Sequence, residues 1–456
     1  MTEPATGLSA RIAQHMSEVG FQDLPSTTVT AAKHVLLDAS GVMLAASGMA
    51  PEAEPFIKLA AASGPGPSTI LGTGLATSPA SAALANGSLA HALDFEDAFD
   101  LAPGHPNASL VPALIALTQA RGPVDGSSFL TALAAGGDLS CRIPLALRRR
   151  MEDGGWYPPP INAGMGAACG AGRLLGLGAE AMLDCLSLAL CQVTMPGEIM
   201  HSRRTIVRAV REAFPAHAAV QSALLAEAGV AGFETPLEGK GGYYALYAAG
   251  QFDPDVLLDR LGDHYWIEQL TFKPWPSCRG THPFVQMALE LHSRGVAPAA
   301  ISKITVLIDP VQRMLVEPPA RKQAPSVMID AKFSIPFATA LALVRGKVTL
   351  DEFEPGVLHD ADVLAVARKI DFEVVEGTGG SGGGMRVELH DGLVLEDSVG
   401  TAQGSPEHPL SEGQLREKFI DCAGRALVPL SRDRASRLAD EILSLERCED
   451  VGALFV

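Results

Sequence analysis

Two imidazoles and four carboxylates lie between two segments of this chain that are apolar enough to be buried. His91, Asp94, Glu96, Asp97, Asp100 and His105 fall within fifteen residues of the stretch AALANGSLAHALDFEDAFDLAPGHPNASLVP, residues 82–112. Taking a charge out of water without a partner is expensive. Any fold of this chain must therefore pair these groups in its interior or leave them on a solvated acidic loop after a capped helix end. In the first case the cluster is a site whose ionisation is tuned by its surroundings. Two histidines among acids also raise a metal, but the helical HxxH or HExxH spacing is missing, and no metal is expected.

Composition narrows the classes. The chain has 456 residues, 47% of them hydrophobic and 5% aromatic. A large core is within reach and disorder is not expected. Abundant Ala and Gly suit closely packed helices. The formal net charge of -17 argues against nucleic acid, which needs a basic face. An anionic substrate then needs a local basic pocket. Seven cysteines, at 141, 169, 185, 191, 278, 422 and 448, form no CxxC. They read as reduced thiols of a cytoplasmic protein. The first residues lack a basic n-region and an apolar h-region, and no charge-free apolar run of about 18 residues occurs. Neither a signal peptide nor a membrane span is expected.

Periodicity predicts helices over 8–19, 26–46, 51–62, 78–93, 109–121, 128–147, 162–175 and 179–193, with a helix pair over 203–229. The Trp-Tyr-Pro-Pro-Pro segment, 154–160, reads as a rigid loop. After residue 269 the pattern changes. Strands are expected at 304–309, 371–375 and 385–390, with helices at 283–294, 330–344 and 360–369. The Gly-rich run 378–384 reads as a hairpin-type loop; no helix follows it, so it fails as a phosphate-binding loop. From Ser411 the chain is helical again. The fold class is mainly α with a smaller α+β domain. A discontinuous helical domain, 1–270 and 405–456, carries an inserted α+β lid, 271–404.

Three further stretches carry chemistry. Residues 272–283, FKPWPSCRGTHP, place Lys273, Arg279 and His282 where they could hold carboxylates; Cys278 alone reads as a buried small side chain. Residues 329–337, IDAKFSIPF, open a helix, whose N-terminus favours anions. Arg203, Arg204, Arg208 and Arg211 form a basic patch, the last three spaced to share a helix face; a solvated surface or a subunit contact would read the same.

Together these stretches resemble the MmgE/PrpD family, which includes 2-methylcitrate dehydratase, cis-aconitate decarboxylase and iminodisuccinate epimerase. The likeness runs through VLLDASGVMLAASG, ANGSLAHALDFEDAF with GHPNASLVPAL, LLAEAGVAGFETPLEGKGGYYALYA, KPWPSCRGTHP and AKFSIPFATALALVRGK, over nearly the whole chain. It implies a helical domain with a smaller α+β lid, a homodimer, and chemistry without a cofactor. It also implies that Asp94, His105 and Lys273 are active-site groups, with His282 nearby. The chain departs from the decarboxylase-type pattern at five positions. Tyr157 stands for a histidine, Arg208 for a lysine, Cys278 for a histidine, Phe337 for a tyrosine and Ala98 for a threonine. The expected reaction is proton removal next to a carboxylate of a small di- or tricarboxylate. His105 serves as acid or base, Asp94 orients it or acts as base, and Tyr157 donates a proton. Arg208, Arg279 and Lys273 hold carboxylates, with His282, Cys278, Asp97 and Phe337 lining the substrate site. Loss of water makes the enzyme a hydro-lyase; return of the proton to the other face makes it an epimerase. A silent carboxylate-binding homologue is the alternative outside catalysis.

Overall fold

The computed structural model describes residues 7–456 apart from 103, 203 and 378 and the side chain of Pro355. Arg203 of the basic patch thus lies outside the described residues, as do Thr378 of the Gly-rich run and the first six residues. Helix makes up 59% of the chain and strand 9%, the mainly α composition expected. Two compact units result: one runs to Leu270 and resumes over Ser411–Val456, the other is Thr271–Leu410.

The first unit begins with α1 (Leu8–Glu18), α2 (Ser26–Met49) and α3 (Glu54–Ala62). A short antiparallel hairpin follows, β1 (Ser68–Ile70) and β2 (Leu75–Thr77). The sequence pattern missed it, because three-residue strands carry too little alternation to register. Next come α4 (Pro79–Ala92), α5 (Asn107–Arg121), α6 (Gly126–Leu145), α7 (Pro158–Leu174) and α8 (Ala179–Leu190). Beyond them lie α9 (Val207–Val210), α10 (Ala213–Glu227), α11 (Tyr243–Ala248) and α12 (Pro254–Leu258). Pro158 and Pro159 occupy the first turn of α7, where a missing N–H costs nothing, so the expected rigid loop is partly helix. The expected helix at 203–229 is two helices with a turn between them at Arg211 and Glu212.

Helices α4, α5, α7 and α10 pack on one another, and α6 lies along α7. Every residue of α5 from Asn107 to Thr118 is buried, so α5 is enclosed on all sides rather than amphipathic. Small residues permit this packing. A Cβ on Gly136 of α6 would lie 2.8 Å from the Gly166 carbonyl of α7. Likewise a Cβ on Gly87 of α4 would lie 2.6 Å from the Glu212 carbonyl. Among the described residues only α2 is long and apolar enough to cross a membrane, and 72% of its apolar window is buried inside the fold. It is a core helix.

In the second unit, α13 (His282–Ser293) leads to β3 (Ile301–Ile308), then α14 (Pro319–Gln323), α15 (Met328–Lys332), α16 (Ile335–Arg345) and α17 (Ala361–Ala367). Strands β4 (Ile370–Val374), β5 (Gly383–Leu389) and β6 (Val394–Val399) complete a four-stranded sheet in the order β4-β3-β5-β6. Strand β4 is parallel to β3, while β5 is antiparallel to both β3 and β6. The Gly-rich run therefore carries the chain past β3 to its far side and is not a hairpin between paired strands. The expected helix at 330–344 is two helices, because Ser334 turns its hydroxyl back to the Phe337 N–H (3.0 Å) and caps α16. The sequence reading also missed β6, an outer strand with every second residue exposed.

The chain then returns to the first unit through α18 (Glu412–Ala423) and α19 (Arg432–Leu443). Helix α18 packs on α2. Its Lys418 ammonium meets Asp38 Oδ1 of α2 at 2.6 Å, donates to the Phe95 carbonyl at 2.7 Å and lies 3.8 Å above the Phe95 ring. Removing one member of a buried pair leaves the other charge poorly compensated, at a cost of about 3–5 kcal/mol. Lys418→Met is therefore expected to lose about that much in urea unfolding, and Lys418→Met with Asp38→Asn to lose less. Equal losses for the single and double variants would show that the pair carries no such energy.

Candidate active site

Helix α4 runs apolar into His91 and ends at Ala92. Asp94 then takes φ 51, with its N–H on the His91 carbonyl at 2.8 Å. Glycine usually fills this left-handed position after a helix, and aspartate is among the few others that tolerate it. The turn sends the chain back into the interior, and residues 91–99 are all buried. The solvated-loop alternative is thereby removed for this segment. Phe99 and Gly104 bridge and close a small outer loop. Asp100 sits on that loop, half-buried, and takes no part in the cluster described below.

Two residues at the start of α5 hold the returning chain. His105 Nδ1 donates to the Asp97 carbonyl at 2.8 Å, and Asn107 donates to Asp97 Oδ2 at 2.9 Å. Glu96 Oε1 lies 2.9 Å from His105 Nδ1 and also contacts His91 Nδ1. Asp94 Oδ1 approaches His91 Nδ1 to 4.0 Å. The two imidazole rings stand 4.8 Å apart. The His105 side chain is 12% exposed, whereas those of His91, Asp94 and Glu96 are fully buried.

The cation of this cluster is Arg211. It donates through Nη1 to His91 Nε2 and to the Arg208 carbonyl (2.9 Å), and through Nε to Glu212 Oε1 (3.2 Å). Ser109 donates to the other Glu212 oxygen at 2.6 Å. Tyr157, at the start of α7, stacks its ring 5.2 Å from the guanidinium carbon. Burial works against the Arg211 charge, but Tyr157, Glu212, Asp94 and Glu96 outweigh it and hold the guanidinium above its usual range. Burial and Arg211 together push His91 down to about 3, so His91 is neutral. Burial raises Glu212, against the opposing pull of Arg211 and Ser109.

His91, Asp94, Glu96 and His105 bring four potential ligand atoms within 4.8 Å of one another, a proximity that the sequence spacing did not suggest. The protons are wrong for a metal. Arginine only donates, so His91 Nε2 accepts and its Nδ1 carries hydrogen. His105 Nδ1 faces two oxygens and carries hydrogen too. Neither imidazole turns a lone pair into the cluster.

Of the residues expected from sequence, the first unit thus brings Asp94, Asp97, His105 and Tyr157 together around Arg211. Arg208 is buried beside them, with its carbonyl on Arg211. The shared arginine face does not form: α9 spans only Val207–Val210, and Arg204 precedes it, exposed. Lys273, Cys278, Arg279, His282 and Phe337 belong to the second unit. Arg279 there donates to the Ala402 and Gln403 carbonyls at 2.8 and 2.9 Å and approaches His282 Nδ1 at 3.4 Å. His282 Nε2 lies 3.1 Å from the Ser277 carbonyl. This pair braces the turn that carries Lys273 and Cys278. Lys273 and Phe337 are fully buried. The sequence reading did not assign Glu212 or Ser109; the adjacent Arg-Glu pair in RAVRE was the available signal for the first.

Asp97 supplies a test. Burial, and then the charge of Asp38, raise it to about 7. Its Oδ1 has no hydrogen-bond partner among the described residues. The folded state thus holds this proton more tightly than the unfolded chain, where a carboxyl titrates near about 4. The Asp97 contribution to stability is full below about pH 4 and is lost as the pH rises towards 7. Asp97→Asn keeps an acceptor for Asn107 and cannot ionise. Its melting temperature is expected to gain on that of the wild type between pH 5 and pH 8. The same offset at both pH values would count against a proton on Asp97.

Comparison with known proteins agrees with this architecture. The family model described as the MmgE/PrpD N-terminal domain matches residues 10–255, and that of the MmgE/PrpD C-terminal domain matches residues 275–445. The cis-aconitate decarboxylase-like protein oryM of Aspergillus oryzae is 27% identical over 99% of this chain and 97% of its own length. The cis-aconitate decarboxylase of Homo sapiens is 26% identical, over 82% of this chain and 78% of its own. The 2-methylcitrate dehydratase of Escherichia coli is 24% identical, over 82% and 80%. Decarboxylases and dehydratases are both lyases. With both domain models matched in order along its length, the chain belongs to the MmgE/PrpD family.

Proposed function

We propose that this protein is a hydro-lyase that removes a proton next to a carboxylate of a small di- or tricarboxylate and then expels a β-hydroxyl group. The observation that carries the reading is the state of His105. Its Nδ1 is tied to the Asp97 carbonyl, its Nε2 keeps a lone pair, and it has an exposure that its buried neighbours lack. Histidine titrates near working pH and suits proton transfer. In the proposed step the C–H bond breaks towards His105 Nε2, and its electrons form the carbon–carbon double bond as the C–O bond to the hydroxyl breaks. Tyr157 gives the leaving hydroxide its proton, and water departs. Charge that develops on the substrate carboxylate needs a cation, a role for Arg208 that the family resemblance supports. The role that the resemblance gives Lys273 is tested by its own variant, and the homodimer it implies belongs to the same reading.

A second reading, decarboxylation, is favoured by the names of the fungal and human relatives. Against it stand Ala98, Tyr157, Arg208, Cys278 and Phe337, at positions where the decarboxylase-type pattern has other groups.

Proton NMR in heavy water with 2-methylcitrate, citrate, malate, isocitrate and cis-aconitate separates the outcomes. A new vinyl signal with loss of the hydroxyl-bearing carbon is expected from one of the hydroxy acids. Deuterium entering an α-carbon without a new product makes the protein an epimerase, and loss of a carboxyl from cis-aconitate makes it a decarboxylase. Thermal stabilisation without turnover makes it a binder. On the reactive compound, His105→Ala and Asp94→Asn are each expected to lose at least about 10²-fold in kcat with melting curves intact. Asparagine also tolerates the left-handed backbone at position 94. A loss under about tenfold would reject these assignments.

A further inference from the structure

We propose that Glu96 is the positioning carboxylate of His105, and that Arg211, acting through His91, fixes where the protons of this buried relay reside, so that Nε2 of His105 alone is left to react. The inference rests on the reading of His105 as the group that takes the substrate proton.

Proton positions follow from groups that can act in only one sense. A guanidinium donates and never accepts. Arg211 Nη1 on His91 Nε2 therefore places a lone pair on that nitrogen, and the neutral ring carries its hydrogen on Nδ1. That N–H points at Glu96 Oε1. Around His105 Nδ1 stand two oxygens, the Asp97 carbonyl at 2.8 Å and the same Glu96 Oε1 at 2.9 Å. With oxygens on both sides, Nδ1 carries the hydrogen and Nε2 does not. When His105 takes a proton on Nε2, the new positive charge lies beside the Glu96 carboxylate, which stabilises it. His91 does not compete for that proton, because burial and Arg211 hold it down to about 3. Glu212 and Ser109 anchor the far end of the relay by holding Arg211. Gly87 lets α4 approach close enough for His91 to meet Arg211, since a Cβ there would strike the Glu212 carbonyl. In sequence Asp94 was the orienting candidate. In the fold it sits on the His91 side, at 4.0 Å from His91 Nδ1.

The test is a long-range proton–nitrogen spectrum of the full chain labelled with 15N-histidine. Spectra of His91→Gln and His105→Gln assign the two rings. Both rings are expected as neutral Nδ1–H forms at pH 8, and His91 is expected to stay neutral to pH 5. In Glu96→Gln the His105 ring is expected to become a mixture of the two tautomers. With the reactive compound, kcat is expected to fall by about 10²-fold while KM stays within about threefold. Glu96→Asp, which keeps the charge, is expected to recover part of kcat. An Nε2–H form of His105 in the wild type overturns the proposal, and so does a Glu96→Gln enzyme with an unchanged tautomer and full kcat. The wild-type spectrum decides even if Glu96→Gln does not fold. It also separates the two readings, since a chain that turns over no polycarboxylate still shows whether the relay holds its protons as proposed.

Discussion

The buried guanidinium of Arg211 lets the helical unit keep carboxylates in its interior. Glu96, Asp94 and Glu212 all draw on it, directly or through His91. An isolated carboxylate at that depth would give up its charge, as Asp97 does where its nearest charged neighbours include Asp38. The remainder of the core follows from this pairing. Arg211 sits in the turn between α9 and α10, so α10 must pack against α4, which carries His91. Gly87 marks where these two segments touch. The closeness of the helices is thus set by a polar contact as much as by apolar area.

Much of the architecture was legible in the sequence because it is written in long periodic segments. The helices α1, α2, α4 to α8 and α13 were expected to within a few residues, and strands β3 to β5 were marked by β-branched runs. What escaped has physical reasons. Strands of three residues have no period to read. Ser334 looks like a residue inside a helix until its hydroxyl is seen to cap the next one. The Gly-rich run looks like a hairpin because sequence does not reveal that β3 lies between β4 and β5.

The site divides the same way. The stretch from His91 to His105 announced itself through charge between apolar flanks, and Asp94, Asp97 and His105 were read from it. Which carboxylate serves which histidine was not readable. Asp94, three residues after His91, looked like the natural orienting group. The left-handed turn at Asp94 reverses the chain and delivers Glu96 to both rings instead. Arg211 was recognised as part of a basic patch, yet its burial and its link to His91 depend on a turn between helices where periodicity predicted continuous helix. Arg279 and His282 looked like ligand groups, and the fold uses them to tie the Lys273 turn to the segment after β6.

The Lys418 contact has a consequence for the order in which this protein comes into being. The loop carrying Phe95 and Glu96 receives one of its anchors from a helix that follows the entire second unit in the chain. During synthesis the groups at 91–105 emerge about three hundred residues before that ammonium exists. Until α18 arrives, Asp38 and the Phe95 carbonyl must be satisfied by water, in a region that ends up dry. The nascent chain can assemble most of its helices early, but the loop at the centre of the site is secured only when nearly all of the polypeptide has left the ribosome. Chains cut short before α18 would keep most of the scaffold and lack the fastening of the loop.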